Sequence, residues 1–138
     1  YVMNADGSGS VRLTRQTAKD LEPAWSANGS TIFYVSWLEG DPNVFRMNSD
    51  GSGQSPMTRS GAADLSPQAS PLYRALEGRP IAYHSMAGDN IGVVHLWRMN
   101  ADGTDAVELT TSVDDDASPQ WSPDGSKMVF DTLRNGDL

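Results

Sequence analysis

Polar side chains recur at fixed intervals in this 138-residue chain, and they are the first candidates for chemistry. Asp20 and Glu22, Asp64 and Ser66, and Asp116 and Ser118 each place a carboxylate two residues ahead of a second polar group. A proline follows each pair at once, at Pro23, Pro67 and Pro119. Six such groups around one mouth of a folded repeat would make an acidic ring able to hold a peptide or a cation. In isolation they would cap loops and shape turns. The run Asp114-Asp115-Asp116 adds to the negative charge, although a short charge run is usually a solvated loop. A second set, Asp6, Asp50, Asp102 and Asp124, stands directly before a glycine in each case. These are turn formers, because Asp accepts hydrogen bonds from the backbone two residues on. They lack the closely spaced carboxylates of a calcium loop, so no metal site is assigned. His84 and His95 are the only histidines. They are expected on neighbouring strands, either as hydrogen-bonded or surface histidines or as a metal or acid–base pair. No Gly-x-Ser-x-Gly elbow occurs, which leaves serine hydrolase chemistry of that type unsupported. Gly7-Ser8-Gly9 and Gly51-Ser52-Gly53 are hairpin glycines, since no helix follows them and no Lys stands at a phosphate-loop offset.

These groups must be positioned by short strands. Tyr1-Val2-Met3-Asn4-Ala5-Asp6-Gly7, Phe45-Arg46-Met47-Asn48-Ser49-Asp50-Gly51 and Trp97-Arg98-Met99-Asn100-Ala101-Asp102-Gly103 are three copies of one pattern. In each, an aromatic and a Met two positions on share one strand face, which predicts core. Asp-Gly between apolar runs is a hairpin signal. Fourteen positions separate Asp6 from Asp20, Asp50 from Asp64 and Asp102 from Asp116. Trp25 and Trp121 then match, with Ala69 in the middle copy. Both tryptophans are expected to pack between repeats. Apolar runs Thr31–Ser36, Pro80–Ser85 and Lys127–Thr132 come next. The middle copy is longer, and its extra residues fall in Leu72–Arg79 and Ala87–Val93, expected as loops.

A unit of roughly 40 to 50 residues with four strands is the signature of a β-propeller blade. The residues that carry it, MNADGSG, a following Leu-Thr and then D-x-x-P-x-WSPDGSK, resemble the TolB-type propeller repeat. The likeness covers essentially the whole chain and extends to the propellers of prolyl oligopeptidase-type enzymes. It implies an all-β fold of four-stranded antiparallel blades. It further implies a non-enzymatic scaffold that binds a protein or peptide, in a periplasmic or extracellular setting. Such propellers also occur as gating domains of prolyl oligopeptidase-type enzymes and in metal-dependent oligosaccharide lyases. The lyases carry His-rich metal sites, and this chain has no comparable cluster beyond its two histidines.

Composition narrows the classes. Ten Lys and Arg against 18 Asp and Glu give a net charge of −8, which repels nucleic-acid phosphates and anionic membranes. Cysteine is absent, which excludes disulfides, thiol catalysis and Cys-ligated zinc. No apolar run approaches the length needed to span a bilayer. No cofactor is called for by any motif.

The strand-like runs divide the chain into a half-unit at 1–15, whole units at 16–59 and 60–111, and a second half-unit at 112–138. Tyr1–Asn4 and Val11–Thr14 are expected as third and fourth strands, and Pro119–Ser122 and Lys127–Thr132 as first and second. Leu133-Arg134-Asn135-Gly136-Asp137 is expected to form the turn after them. The chain does not start with Met and shows no signal peptide, so it is read as a mature piece or a fragment of a longer propeller. Three blades would have to turn about 120° each to close a ring, whereas propellers typically have 4 to 8. The expectation is therefore a six-bladed ring made by two copies as a head-to-tail homodimer, with Lys127–Thr132 of one beside Tyr1–Asn4 of the other.

Overall fold

The computed structural model describes residues 1–72, 80–88 and 92–134, and its named elements are all strands. Four of them, β1 (Asp20–Trp25), β2 (Thr31–Ser36), β3 (Asn43–Asn48) and β4 (Ser55–Pro56), form an antiparallel sheet in chain order. The next four, β5 (Asp64–Ala69), β6 (Ile81–Ser85), β7 (His95–Met99) and β8 (Val107–Glu108), repeat it. The last two, β9 (Asp116–Trp121) and β10 (Met128–Thr132), make a two-stranded sheet. At the N-terminal end a single antiparallel bridge joins Val2 to Val11. The all-β antiparallel architecture agrees with the sequence reading.

Local chemistry explains the hairpins. The third-to-fourth-strand turns close where Ser52 and Thr104 donate backbone N–H groups to Asp50 Oδ1 (2.9 Å) and Asp102 Oδ1 (3.0 Å). Gly51 and Gly103 follow with φ of 87° and 89°, a region where a side chain is strained. Gly103 has a second reason to be glycine: a Cβ there would lie 2.6 Å from the Met57 carbonyl oxygen of the preceding sheet.

The sheets stack in succession, β5 against β1–β3 and β9 against β5–β7. Alternation along β2 and β3 sends Phe33 and Val44 to one face and Ile32, Tyr34, Phe45 and Met47 to the other. Phe33, Val44 and Met57 bury themselves against Ile81, Tyr83 and Met99 of the next sheet, with Ala69 and Trp97 at the margin. The opposite face clusters Ile32, Tyr34, Phe45 and Met47 around Leu13, with the Tyr34 and Phe45 rings 5.7 Å apart.

Three expectations need correction. The last inner strand begins at Asp116, ahead of the expected Pro119, because Asp116 still pairs with the end of the second strand, opposite Thr132, as Asp64 does opposite Ser85. Tyr1 and Met3 are 81% and 65% exposed, although their counterparts Phe45, Met47 and Met99 are buried. No strand among the described residues covers them. Trp121 does pack between sheets, its indole N–H donating to the Gln68 carbonyl at 3.3 Å, whereas Trp25 is 49% exposed. Most of the long segments expected as loops in the second repeat, and the last four residues of the chain, lie outside the described residues.

The apolar seam between the two four-stranded sheets sets the stability. Phe33→Ala is expected to cost about 3–5 kcal/mol and Ile81→Val about 0.5–1.5 kcal/mol, while exposed Leu38→Ala should stay within about 0.5 kcal/mol. Urea unfolding of the three variants checks the order.

Candidate functional site

The three inner strands carry the six polar residues singled out from the sequence, and the fold separates them into two groups. Asp64 and Asp116 are fully buried, and Asp20 is half-buried. Each acts as a clasp. Asp64 accepts hydrogen bonds from the hydroxyls of Ser85 and, at 2.9 Å, Ser60. Asp116 accepts from Ser112 at 3.1 Å and from the Arg134 guanidinium, with which it forms an ion pair. Gln16 donates to Asp20 at 3.0 Å. The donor four residues upstream, Gln16, Ser60 or Ser112, ties the incoming loop to the strand in every repeat. Burial alone would raise the Asp116 carboxyl, but hydrogen bonds from Thr132, Arg134, Thr110 and Ser112 outweigh it and hold the group below its ordinary value.

Glu22, Ser66 and Ser118 form the second group. All three are non-glycine residues at positive φ, 51°, 50° and 53°. Each lies in a register break between the first and second strands of its sheet. Such a bulge frees one residue from the ladder and re-aims its backbone. It also suits the proline that follows, which has no N–H to offer a ladder. The freed N–H turns to the preceding sheet for an acceptor. Ser66 N donates to Glu22 Oε2 at 2.7 Å, and its hydroxyl reaches the same oxygen at 3.3 Å. Ser118 N donates to His84 Nδ1 at 3.1 Å. The two bonds differ for a steric reason. Glu22 is long enough to cross to the next sheet, whereas Ser66 is too short, and His84 on the neighbouring β6 crosses instead.

No feature of the sequence pointed to these crossings. A residue before proline ordinarily prefers extended backbone, so positive φ at 22, 66 and 118 was not legible from composition. The regular Pro spacing was the only available signal.

The structure does not bring the histidines together. His84 lies opposite Leu96 and His95 opposite Ser85, so the two point to opposite faces. His95 is buried, with Nδ1 on Glu108 and Nε2 2.9 Å from the Ser112 carbonyl. Burial and hydrogen bonding pull these two imidazoles in opposite directions. Burial holds His84 below its ordinary pKa, against the smaller pull of Glu22, Asp64 and Asp115. Burial would lower His95 too, but the bonds to Glu108 and Ser112 more than offset it and raise its pKa. The turn residues Asp6, Asp50 and Asp102 are held by the Ser or Thr two positions on, and Asp124 first by Ser122 and then by Ser126; all lie below the usual carboxylate range, Asp124 at about 2. They shape turns. Among the described residues, no three His, Cys, Asp or Glu groups are placed to hold a metal ion.

Beside the first sheet runs a partly apolar groove. Leu13, Leu21, Trp25 and Tyr34 line it, with Tyr1 and Met3 at its rim. It lies where the stacking order would place a sheet ahead of β1. Pro23 is exposed there, while its counterparts Pro67 and Pro119 are fully buried.

The histidines predict opposite pH effects. His84 has a depressed folded pKa, so its contribution is present above the unfolded value of about 6.5 and is lost as pH falls through the folded one. His95 has a raised folded pKa, so its contribution is complete below about 6.5 and is lost as pH rises through its folded value. Thermal melts between pH 5 and 8 check this. His84→Asn should lose less stability than the parent toward pH 5, and His95→Gln should lose its greatest share of stability at that end.

Comparison with known proteins places this geometry. Residues 1–96 match the model of the TolB beta propeller domain. A TolB homolog of Chlorobium luteolum is 33% identical over 137 residues, 99% of this chain and 29% of that protein. The Tol-Pal system protein TolB of Desulfosudis oleivorans is 36% identical over 45 residues, 33% of this chain and 10% of that one. The chain thus spans less than a third of the length of either relative. A solved structure described as a TolB of Agrobacterium tumefaciens superposes with a TM-score of 0.78 at 25% identity, covering 96% of this chain and 45% of that one. TolB of Acinetobacter baumannii shares the fold with a TM-score of 0.66 at 20% identity, over 79% of this chain and 25% of its own. Stacked four-stranded sheets, a repeated inner-strand bulge and a matching family model over more than half the sequence lead to one conclusion: the chain belongs to the TolB β-propeller family.

Proposed function

We propose that this chain is a propeller segment that serves as a non-enzymatic scaffold for protein or peptide binding in the bacterial periplasm. One observation carries the reading. The inner strands present Glu22, Ser66 and Ser118 in strained, left-handed backbone at the same position of three successive sheets. Strain of this kind, of order 1–3 kcal/mol per residue, persists only where the surroundings over-determine it, and it concentrates at functional sites. In this reading Asp20, Asp64 and Asp116 hold the strands, and Glu22, Ser66 and Ser118 offer carboxylate and hydroxyl groups at the channel mouth. Rigid strands present these groups with little ordering to be lost on binding. The name of the Desulfosudis oleivorans relative, a Tol-Pal system protein, points to a second protein of that system as the partner. The oligosaccharide lyase reading gains no support from the geometry, because His84 and His95 face apart.

The ring that would bear such a mouth is completed, in the same proposal, by two copies joined head to tail into six blades. Two bare faces support this. Leu21 and Trp25 are half exposed on the first sheet, and Val129 is 68% exposed on the last.

Isothermal titration with the soluble domain of Pal, the protein for which the Tol-Pal system is named, tests the scaffold. Saturable binding is expected, weakened about tenfold or more by Glu22→Lys, which corresponds to about 1.4 kcal/mol. Absence of heat with folded protein overturns this choice of partner. Unchanged affinity in the variant overturns the choice of mouth.

A further inference from the structure

The turn between β1 and β2 carries the pair Asn28-Gly29, and both residues are exposed. The matching turn between β9 and β10 carries Asp124-Gly125. The two turns are alike bond for bond. Asn28 Oδ1 accepts from the Ser26 hydroxyl at 2.8 Å, the Ser30 N–H at 3.1 Å and the Ser30 hydroxyl at 2.8 Å. Asp124 Oδ1 accepts from the Ser122 hydroxyl at 2.6 Å, the Ser126 N–H at 3.0 Å and the Ser126 hydroxyl at 2.8 Å. Gly29 and Gly125 stand at φ of 70° and 67°. Their N–H groups donate to the Ser26 and Ser122 carbonyls at 2.9 and 2.8 Å. A backbone N–H needs an acceptor, so the bond from Ser30 fixes the Asn28 amide with its oxygen toward the turn. None of the three bonds uses the amide nitrogen.

Asparagine followed by glycine has a chemical weakness. The Gly29 backbone nitrogen, once deprotonated, attacks Asn28 Cγ. The N–Cγ bond forms and the Cγ–Nδ2 bond breaks. The amide nitrogen takes up the proton and leaves as ammonia, and a cyclic succinimide remains. Water then adds to one of the two ring carbonyls. Opening at one gives aspartate. Opening at the other gives isoaspartate, whose backbone runs through Cβ. The sequence consumes water, releases ammonia and involves no oxidation. A side chain on the following residue hinders ring closure, and Gly29 has none.

The folded turn governs when this happens. A deprotonated amide nitrogen attacks along the direction its N–H held. At Gly29 that direction is taken by the Ser26 carbonyl. Oδ1 is pinned as well, by its three donors. Attack therefore waits for the turn to open, and exposed hairpin tips are among the segments that open most readily. Aspartate at position 28 keeps an acceptor oxygen where the amide oxygen was, so the turn closes on it as it closes on Asp124. The bonds from Ser122 and Ser126 hold the Asp124 carboxyl down at about 2, which shows how well this pattern suits a carboxylate. Isoaspartate has no such fit. It adds an atom to a turn that the Ser26 N–H and Thr31 carbonyl close at 2.9 Å, and it moves the carboxylate away from Ser30.

We propose that Asn28 is a site of spontaneous deamidation, gated by opening of its turn, and that the turn re-forms around the aspartyl product in the bonding pattern of Asp124. The site lies beyond Trp25, at the other end of β1 from Asp20, and is independent of the scaffold reading.

Prolonged incubation of the folded chain at mildly alkaline pH, followed by peptide mapping with mass spectrometry, tests the site. Aspartate and isoaspartate are expected at position 28. Asn4, Asn48 and Asn100 precede Ala or Ser and are expected to stay intact. Mapping separates the signal from that of a second Asn-Gly pair, Asn135-Gly136, which lies outside the described residues. A Ser26→Ala, Ser30→Ala double variant, checked as folded by circular dichroism, should convert about threefold faster or more, because each lost hydrogen bond favours the open turn. Asn28→Asp should melt at or above the temperature of the parent. An Asn28 that stays intact through the incubation overturns the site. A double variant no faster than the parent overturns the gating, and an Asn28→Asp variant that melts below the parent overturns the fit of the product.

Discussion

Phe33 and Val44 on one sheet meeting Ile81, Tyr83 and Met99 on the next is the contact on which this structure depends. A four-stranded sheet has two faces, and in the first complete sheet both are apolar. A sheet of that kind is stable only between neighbours. Stacking along the chain satisfies this once between the two complete sheets and again where β9 lies against β5–β7. The polar features then follow from how closely the inner edges approach.

The close approach brings inner strands together where a ladder hydrogen bond is already lost. Pro23, Pro67 and Pro119 remove a donor, and the residue before each swings to positive φ to absorb the break. A freed N–H near an apolar seam needs an acceptor, since an unmet buried donor costs about 1–3 kcal/mol. Glu22 and His84 are two chemically different answers to one geometric need. The clasps built on Asp64 and Asp116 serve the same end from the other direction. They fix where the strand starts, and through it where the bulge falls.

Histidine as a structural acceptor illustrates how position outweighs residue type. His84 and His95 stand one residue out of register on paired strands, yet the alternation of side chains sends them to different surroundings. One accepts from a neighbouring sheet and is pushed toward its neutral form by burial. The other binds a carboxylate and a carbonyl and is held toward its charged form. Proximity along the strands therefore created no joint chemistry.

The sequence by itself determined the hairpins and the repeat, although Tyr1–Asn4 and Val11–Thr14, expected as strands, meet only in the Val2–Val11 bridge. Asp-Gly turns and period-two alternation are local, and Asp50 with Ser52 or Asp102 with Thr104 needs nothing beyond its own loop. It also determined which face of β2 and β3 is apolar, and so the seam at Phe33. It did not reveal the left-handed backbone at Glu22, Ser66 and Ser118, because a residue before proline favours extended backbone when only its neighbours act on it. It did not separate the buried Asp64 and Asp116 from the exposed Glu22 either, since all are simply acidic groups at the start of a strand. Nor did it show that Tyr1, Met3 and Trp25 stay exposed while Phe45, Met47 and Trp121 find cover. Those differences were decided by tertiary structure, for a physical reason: burial and bulge capping are supplied by the adjacent sheet, and a repeat carries no local mark of whether it has one.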